Sequence, residues 1–214
     1  MSYSYADMQI SSCVRCSLHG ENYAYPRVHR GHGLKVMFIG EAPGREEAKQ
    51  HLAFVGNSGK ELDRWVEFLG IDNYFITNMV RHRPTTPDGM KDRPPTGEET
   101  KACFPYLEKE LMAEQPDFVV ALGAVAAGNA FNISLPMPTL STMIDRFLSH
   151  ESFYLFSTRT ARMIVLYHPS YVLRQKNLPP IQRENFTMRF LHVLTEVKEI
   201  MDAKGREKMP QHLE

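Results

Sequence analysis

The chain has few cysteines, no excess of either charge and no long apolar run. Three cysteines in 214 residues are an odd number and a poor disulfide framework. In a reducing compartment they read as metal ligands or as small buried hydrophobes. Lys+Arg and Asp+Glu both count 25, so overall charge cannot draw the chain to nucleic acid and any basic surface must be local. No apolar run approaches the ~20 residues of a membrane span, which excludes an integral helical membrane protein. Met1 to Ile10 holds neither a basic region nor a long apolar stretch. The expectation is no secretory signal and a cytoplasmic location. Repeats and low-complexity segments are missing. So are G-x-G-x-x-G and G-x-x-x-x-G-K-[ST], which weakens a reading as a nucleotide-binding α/β protein.

What is present is globular. Hydrophobic residues make up 43% and charged residues 23%, and the length suits one α/β domain over residues 1–214. Four short apolar runs, Val36–Gly40, Tyr74–Val80, Phe118–Gly123 and Met163–Tyr167, read as strands of a parallel sheet buried on both faces. Helical patterns fall between them. Leu62, Trp65, Val66 and Leu69 form one apolar stripe, with Ser58 as N-cap and Gly70 as stop. Thr96–Glu114 has an acidic first turn, and Phe190, Leu194, Val197 and Met201 mark a last helix ending near Gly205. Strand–helix alternation implies right-handed βαβ units, whose sites lie at the carboxyl ends of the strands. Three strands end in chemically pointed residues: Gly40-Glu41, Asn78 and His168. Residues 20–34 and the proline-rich 83–96 read as long polar loops.

Cys13-Val-Arg-Cys16 is a C-x2-C pair, a spacing that lets two thiolates reach one ion from a tight turn. Cys103 stands far off at a helix, and His82, after the second strand, is the best fourth ligand. Such a set suits tetrahedral zinc and also an iron–sulfur cluster. The bland alternative makes Cys103 a core hydrophobe and leaves the pair weakly binding.

The remaining signals converge on a flat polar ligand. Gly40-Glu41-Ala42-Pro43-Gly44 presents a carboxylate on a tight turn. Phe54-Val-Gly56 places an aromatic ring beside glycine, as a base-stacking platform requires, although a core phenylalanine is commoner. Asn78 can read a base edge or cap a turn. His168 can stabilise developing negative charge, whether neutral or charged. Pro169-Ser-Tyr-Val-Leu-Arg174 reads as one short loop of small, apolar and basic residues, suited to insertion into a duplex and phosphate contact. Residues 159–176 hold Arg159, Arg162, Arg174 and Lys176 without an acid, a local charge of +4 expected beside the site.

The order G-E-A-P-G, F-V-G-x-x-G, I-T-N, A-L-G-A-V-A-A and H-P-S-Y-V-L-R resembles the uracil-DNA glycosylase superfamily. It is closest to family 4, the iron–sulfur bacterial and archaeal type, over roughly residues 10–200. The resemblance implies a three-layer α/β/α sandwich around a four-stranded parallel sheet. It implies a monomeric DNA-repair enzyme that flips uracil from single- or double-stranded DNA and hydrolyses its N-glycosidic bond, leaving an abasic site. Glu41 would position or activate water and His168 would stabilise charge on the departing uracil. Phe54 would stack on the base and Asn78 would bond its polar edge, with backbone at Gly40, Ala42 and Gly56 lining the pocket. Pro169, Ser170, Tyr171, Val172, Leu173 and Arg174 would press into the minor groove. Cys13, Cys16 and Cys103 match three cluster cysteines, and His82 stands where the family usually has the fourth, so a 4Fe–4S cluster is expected, with zinc the alternative. Ala48 replaces a common acidic residue and Leu52-Ala53 a glycine-and-proline approach to Phe54. A K-R-R-I-H insertion is missing, so stable covalent capture of DNA is not expected. The runner-up function is a catalytically weak, metal-stabilised DNA-binding module of the same fold.

Overall fold

Each of the four apolar runs forms a strand, and alternate residues of each face opposite ways. In the computed structural model, which describes residues 9–130 and 161–208 together with Ile144, the strands are β1 (Arg27–His29), β2 (Lys35–Gly40), β3 (Asn73–Asn78), β4 (Phe118–Leu122) and β5 (Arg162–Leu166). The helices are α1 (Arg45–Gln50), α2 (Asn57–Leu69), α3 (Gly97–Glu114), α4 (Ala124–Ala130), α5 (Pro169–Gln175) and α6 (Pro180–Lys208). Val36 and Phe38 of β2 enter one core cluster with Leu62 and Trp65 of α2 and Val193 and Val197 of α6. Met37 and Ile39 enter a second cluster with Leu107 of α3 and Ala126 and Ala127 of α4. Both faces of the sheet are therefore covered by helices, which is why β2 lacks a polar face. Each fully buried side chain of this kind contributes roughly 1.5–3 kcal/mol.

The expectation of four parallel strands needs correction. The sheet has five strands in the order β1-β3-β2-β4-β5, and β1 runs antiparallel along β3, with Val28 opposite Phe75. Strands β3, β2, β4 and β5 are mutually parallel. β1 comes from the segment expected to be loop. It is only three residues long, with no buried position, so periodicity could not reveal it. It closes a sheet edge that would otherwise offer unpaired backbone groups.

Two helix starts also differ from expectation. The N-cap of α2 is Gly56 rather than Ser58, which lies inside the first turn. Pro169–Arg174, expected as a loop, begins α5: His168 is its N-cap and Pro169 occupies the first turn, where a missing N–H costs nothing. The parallel strands deliver Gly40-Glu41, Asn78, Gly123 and His168 to one edge of the sheet.

Candidate active site

Three of the four expected side chains, far apart in sequence, share one pocket. A cavity of about 250 Å³ is lined by Ala42, Phe54, Gly56, Asn78 and His168, with Arg45 and Glu47 from α1. It has room for a single-ring base. Glu41 lies beside it, lining an adjoining groove of about 370 Å³ with His168, Tyr171 and Arg174. The expected constellation is thus assembled, with Glu41 at the mouth rather than on the inner wall.

The inner wall is built by close packing. Phe54 has φ of 54°, a left-handed conformation that costs strain in a bulky residue. Its ring lies 5.9 Å from that of His168 at a tilt of 37°. The strain is held by Glu47, which sequence reasoning missed. Its Oε1 accepts from the backbone N–H of Val55 at 3.1 Å and of Gly56 at 2.8 Å, and its Oε2 accepts from Gly44 N–H at 3.2 Å. One carboxylate therefore ties the Phe54 loop to the Gly40–Gly44 turn. The sequence signal was there: a Gly followed three residues later by Glu at a helix start. Ala48, by contrast, is buried and does not line the pocket.

Asn78 is 3% exposed, and its Oδ1 has no hydrogen-bond partner. A buried carbonyl oxygen left open in a pocket is costly unless a ligand completes it. The turn after β3 is locked, since Met79 N–H donates to Gly40 O and Val80 N–H to Glu41 O.

The tautomer of His168 follows from its partners. The Ser170 backbone N–H donates to Nδ1 at 3.1 Å. Nδ1 is thus an acceptor, and the ring carries its proton on Nε2. Ser170 Oγ lies 2.8 Å from the same nitrogen and accepts from Arg174. Burial, with the Arg174 charge adding to it, pulls the His168 pKa down to about 4. The ring is neutral at physiological pH. Burial pushes the Glu41 carboxyl above its ordinary value.

The α5 residues divide. Pro169 is buried, and Val172 packs against the core, so these two anchor the helix. Tyr171 is exposed, stacked on Tyr167 at 5.2 Å, with the Arg174 guanidinium above its ring. Leu173 is half-buried. The expected basic patch is split. Arg162 opens β5, at the opposite end of that strand from His168, Arg159 lies outside the described residues, Lys176 lines a separate cavity with Trp65 and Phe190, and of the four only Arg174 lines the groove at the site.

Cys103 and Cys13 belong to a third core cluster, and His82 lies edge-on to Tyr23, which packs against the same cluster. Cys103 is buried with Ile10, Val80 and Tyr106, and Cys13 packs against this cluster. Cys13 and Cys16 are both near enough to Cys103 to act on its charge, although burial is the main cause raising its thiol pKa. The Arg81 backbone N–H donates to Cys103 Sγ at 3.3 Å. His82 is 3% exposed with Nε2 unpartnered, and burial, followed by the His19 charge, lowers its pKa. A buried imidazole nitrogen without a partner is chemically able to ligate a metal. Among the described residues no three such side chains converge on a single ion.

Comparison with known proteins agrees with this geometry. Residues 29–195 match the family described as the uracil DNA glycosylase superfamily. A type-4 uracil-DNA glycosylase of Archaeoglobus fulgidus is 32% identical over 79% of this chain and 82% of its own. One from Sulfurisphaera tokodaii is 32% identical over 83% of this chain and 79% of its own. One from Thermotoga maritima is 31% identical, with shares of 79% and 82%.

Proposed function

The chain belongs to the uracil-DNA glycosylase superfamily, and from that premise we propose how its own residues excise uracil. It is a DNA-repair glycosylase, acting on uracil in DNA and leaving an abasic site. A base inside a duplex cannot reach the pocket, so it must be extruded, at a cost of a few kcal/mol that pocket and phosphate contacts offset. Phe54 stacks on the extruded ring. The open Asn78 Oδ1 accepts from the N–H of uracil, and its amide N–H donates to a carbonyl.

Cleavage of the N-glycosidic bond leaves positive charge on the sugar and negative charge on uracil. His168, neutral and protonated on Nε2, donates to the uracil oxygen that gains charge. One preorganised donor of this kind is worth about 3–4 kcal/mol. Glu41, at the mouth of the pocket, orients the attacking water and opposes the sugar's positive charge. Tyr171, Leu173 and Arg174 of α5 press on the strand and its phosphates. The observation carrying this reading is the Ser170 N–H bond to His168 Nδ1, which fixes the donating tautomer in a pocket shared with Phe54 and Asn78.

Cys13, Cys16, Cys103 and His82 are proposed to hold a 4Fe–4S cluster. Thiolate and imidazole donors of this kind would suit such a cluster. The open His82 Nε2 and the N–H bond to Cys103 Sγ support this ligand set. The group would tie the N-terminal segment to β3 and α3 and supply no step of the cleavage. Among the described residues no helix is long and apolar enough to cross a membrane.

Excision from a labelled oligonucleotide is the test, with uracil, hypoxanthine, xanthine and thymine as target bases. Release of uracil and retention of thymine are expected. Intact uracil DNA after incubation with folded, metal-loaded protein would leave only the DNA-binding module.

A further inference from the structure

A buried ion pair behind Asn78 takes no part in the chemistry above. Arg81 of the turn after β3 is 1% exposed and Glu110 of α3 is 0% exposed, and Arg81 Nη2 donates to Glu110 Oε2 at 2.7 Å. Such pairs are expensive to desolvate, and apolar residues of like volume serve a core as well or better. Stability alone is a poor reason for one here.

Its contacts give another. Arg81 Nη1 donates to the backbone carbonyl of Asn78. The pair therefore holds the Asn78 peptide through its backbone carbonyl. On the pocket side the Asn78 Oδ1 has no hydrogen-bond partner, so packing and the set of its backbone direct that amide.

We infer that Arg81 and Glu110 are positioning residues for base recognition: Glu110 orients the guanidinium, and the guanidinium fixes the Asn78 peptide so that its amide faces the base edge. Neither touches the substrate. This rests on the reading of Asn78 as the base-edge reader.

The test replaces the pair by apolar residues, R81M with E110M, in the metal-loaded protein. The Arg81 backbone N–H to Cys103 survives this change, so visible absorbance should stay at the wild-type level. Uracil excision (kcat/KM) is expected to fall about tenfold or more. Affinity for abasic DNA, which offers Asn78 no base, should not move. The deciding comparison is the same swap in an N78A background, where it should cost less than about twofold. Equal losses in both backgrounds, or no loss in either, would overturn the inference. Should the double variant fail to fold, R81K, with one ammonium that cannot grip both partners, is judged by the same comparison. A wild-type protein without excision would sink the functional reading instead, a separate result.

Discussion

Gly40 and Phe54 meet so closely that a Cβ on the glycine would lie 2.5 Å from the ring's Cζ. The same Cβ would lie 2.5 Å from Asn78 Oδ1. The glycine at the end of β2 is thus the floor on which ring and amide converge, and any side chain there displaces both.

Gly40→Ala should therefore abolish recognition more than it unfolds the protein. Overpacking of one methyl costs about 1–3 kcal/mol in a tight core. Excision should fall by about a hundredfold, because stacking surface and base-edge reader shift together. Urea melts run beside the excision assay separate the two. Wild-type excision by a folded Gly40→Ala protein would show that Phe54 and Asn78 do not form the base pocket.

The pH profile follows from two groups moved in opposite directions. His168 has its pKa pulled to about 4 by burial, ahead of the Arg174 charge, so it stays neutral above that and gives no inflection near neutrality. Glu41 is raised by burial and must be ionised to orient water. Protonation on lowering the pH therefore removes activity from above the usual carboxylate range downward. The kcat/KM profile should show one acid limb above the usual carboxylate range, and Glu41→Gln should leave a slow, flat profile. His168→Ala should cost about 10²–10³-fold with the limb unchanged. A limb that persists in Glu41→Gln would reassign it.

Much of this site was legible because the parallel strands are apolar on both faces, so their ends, and the residues at those ends, stand out. β1 was not, since Arg27-Val-His29 has no buried position and forms only by pairing with β3. α5 is too short to show a helical period in the sequence, and its one clear signal is Pro169, since proline in a first turn starts a helix. Glu47 carried a local signal in the helix start at Gly44, but its bonds to Val55 and Gly56, and the meeting of Arg81 with Glu110, arise only on tertiary folding. The basic run 159–176 misled because charge adjacent in sequence is carried by β5 to opposite ends of that strand.

That separation predicts the salt dependence of DNA binding. Arg174 lines the groove beside His168, and Arg162 opens β5 at the far end of the strand. Each phosphate contact contributes about 0.7–0.9 to the slope of log K against log salt. Arg174→Ala should lower that slope by about one such unit, and Arg162→Ala should leave it unchanged. The reverse result would place the DNA on another face.

The metal site gives the remaining test, because histidine and thiolate ligands tune a cluster differently. Purified protein should be brown, with iron and acid-labile sulfide and broad visible absorbance. Cys103→Ala should lose the colour and melt lower, since ligand binding is folding energy for the segment it ties down. His82→Cys should keep the colour, because a fourth thiolate ligates as well. Replacing imidazole by thiolate adds negative charge and lowers the reduction potential, a shift that voltammetry reads. A colourless protein holding one zinc per chain, with Cys103 and His82 both required for it, would instead make the centre mononuclear. Its ligands would then have to close in from the separated positions they hold around Val80 and Tyr106.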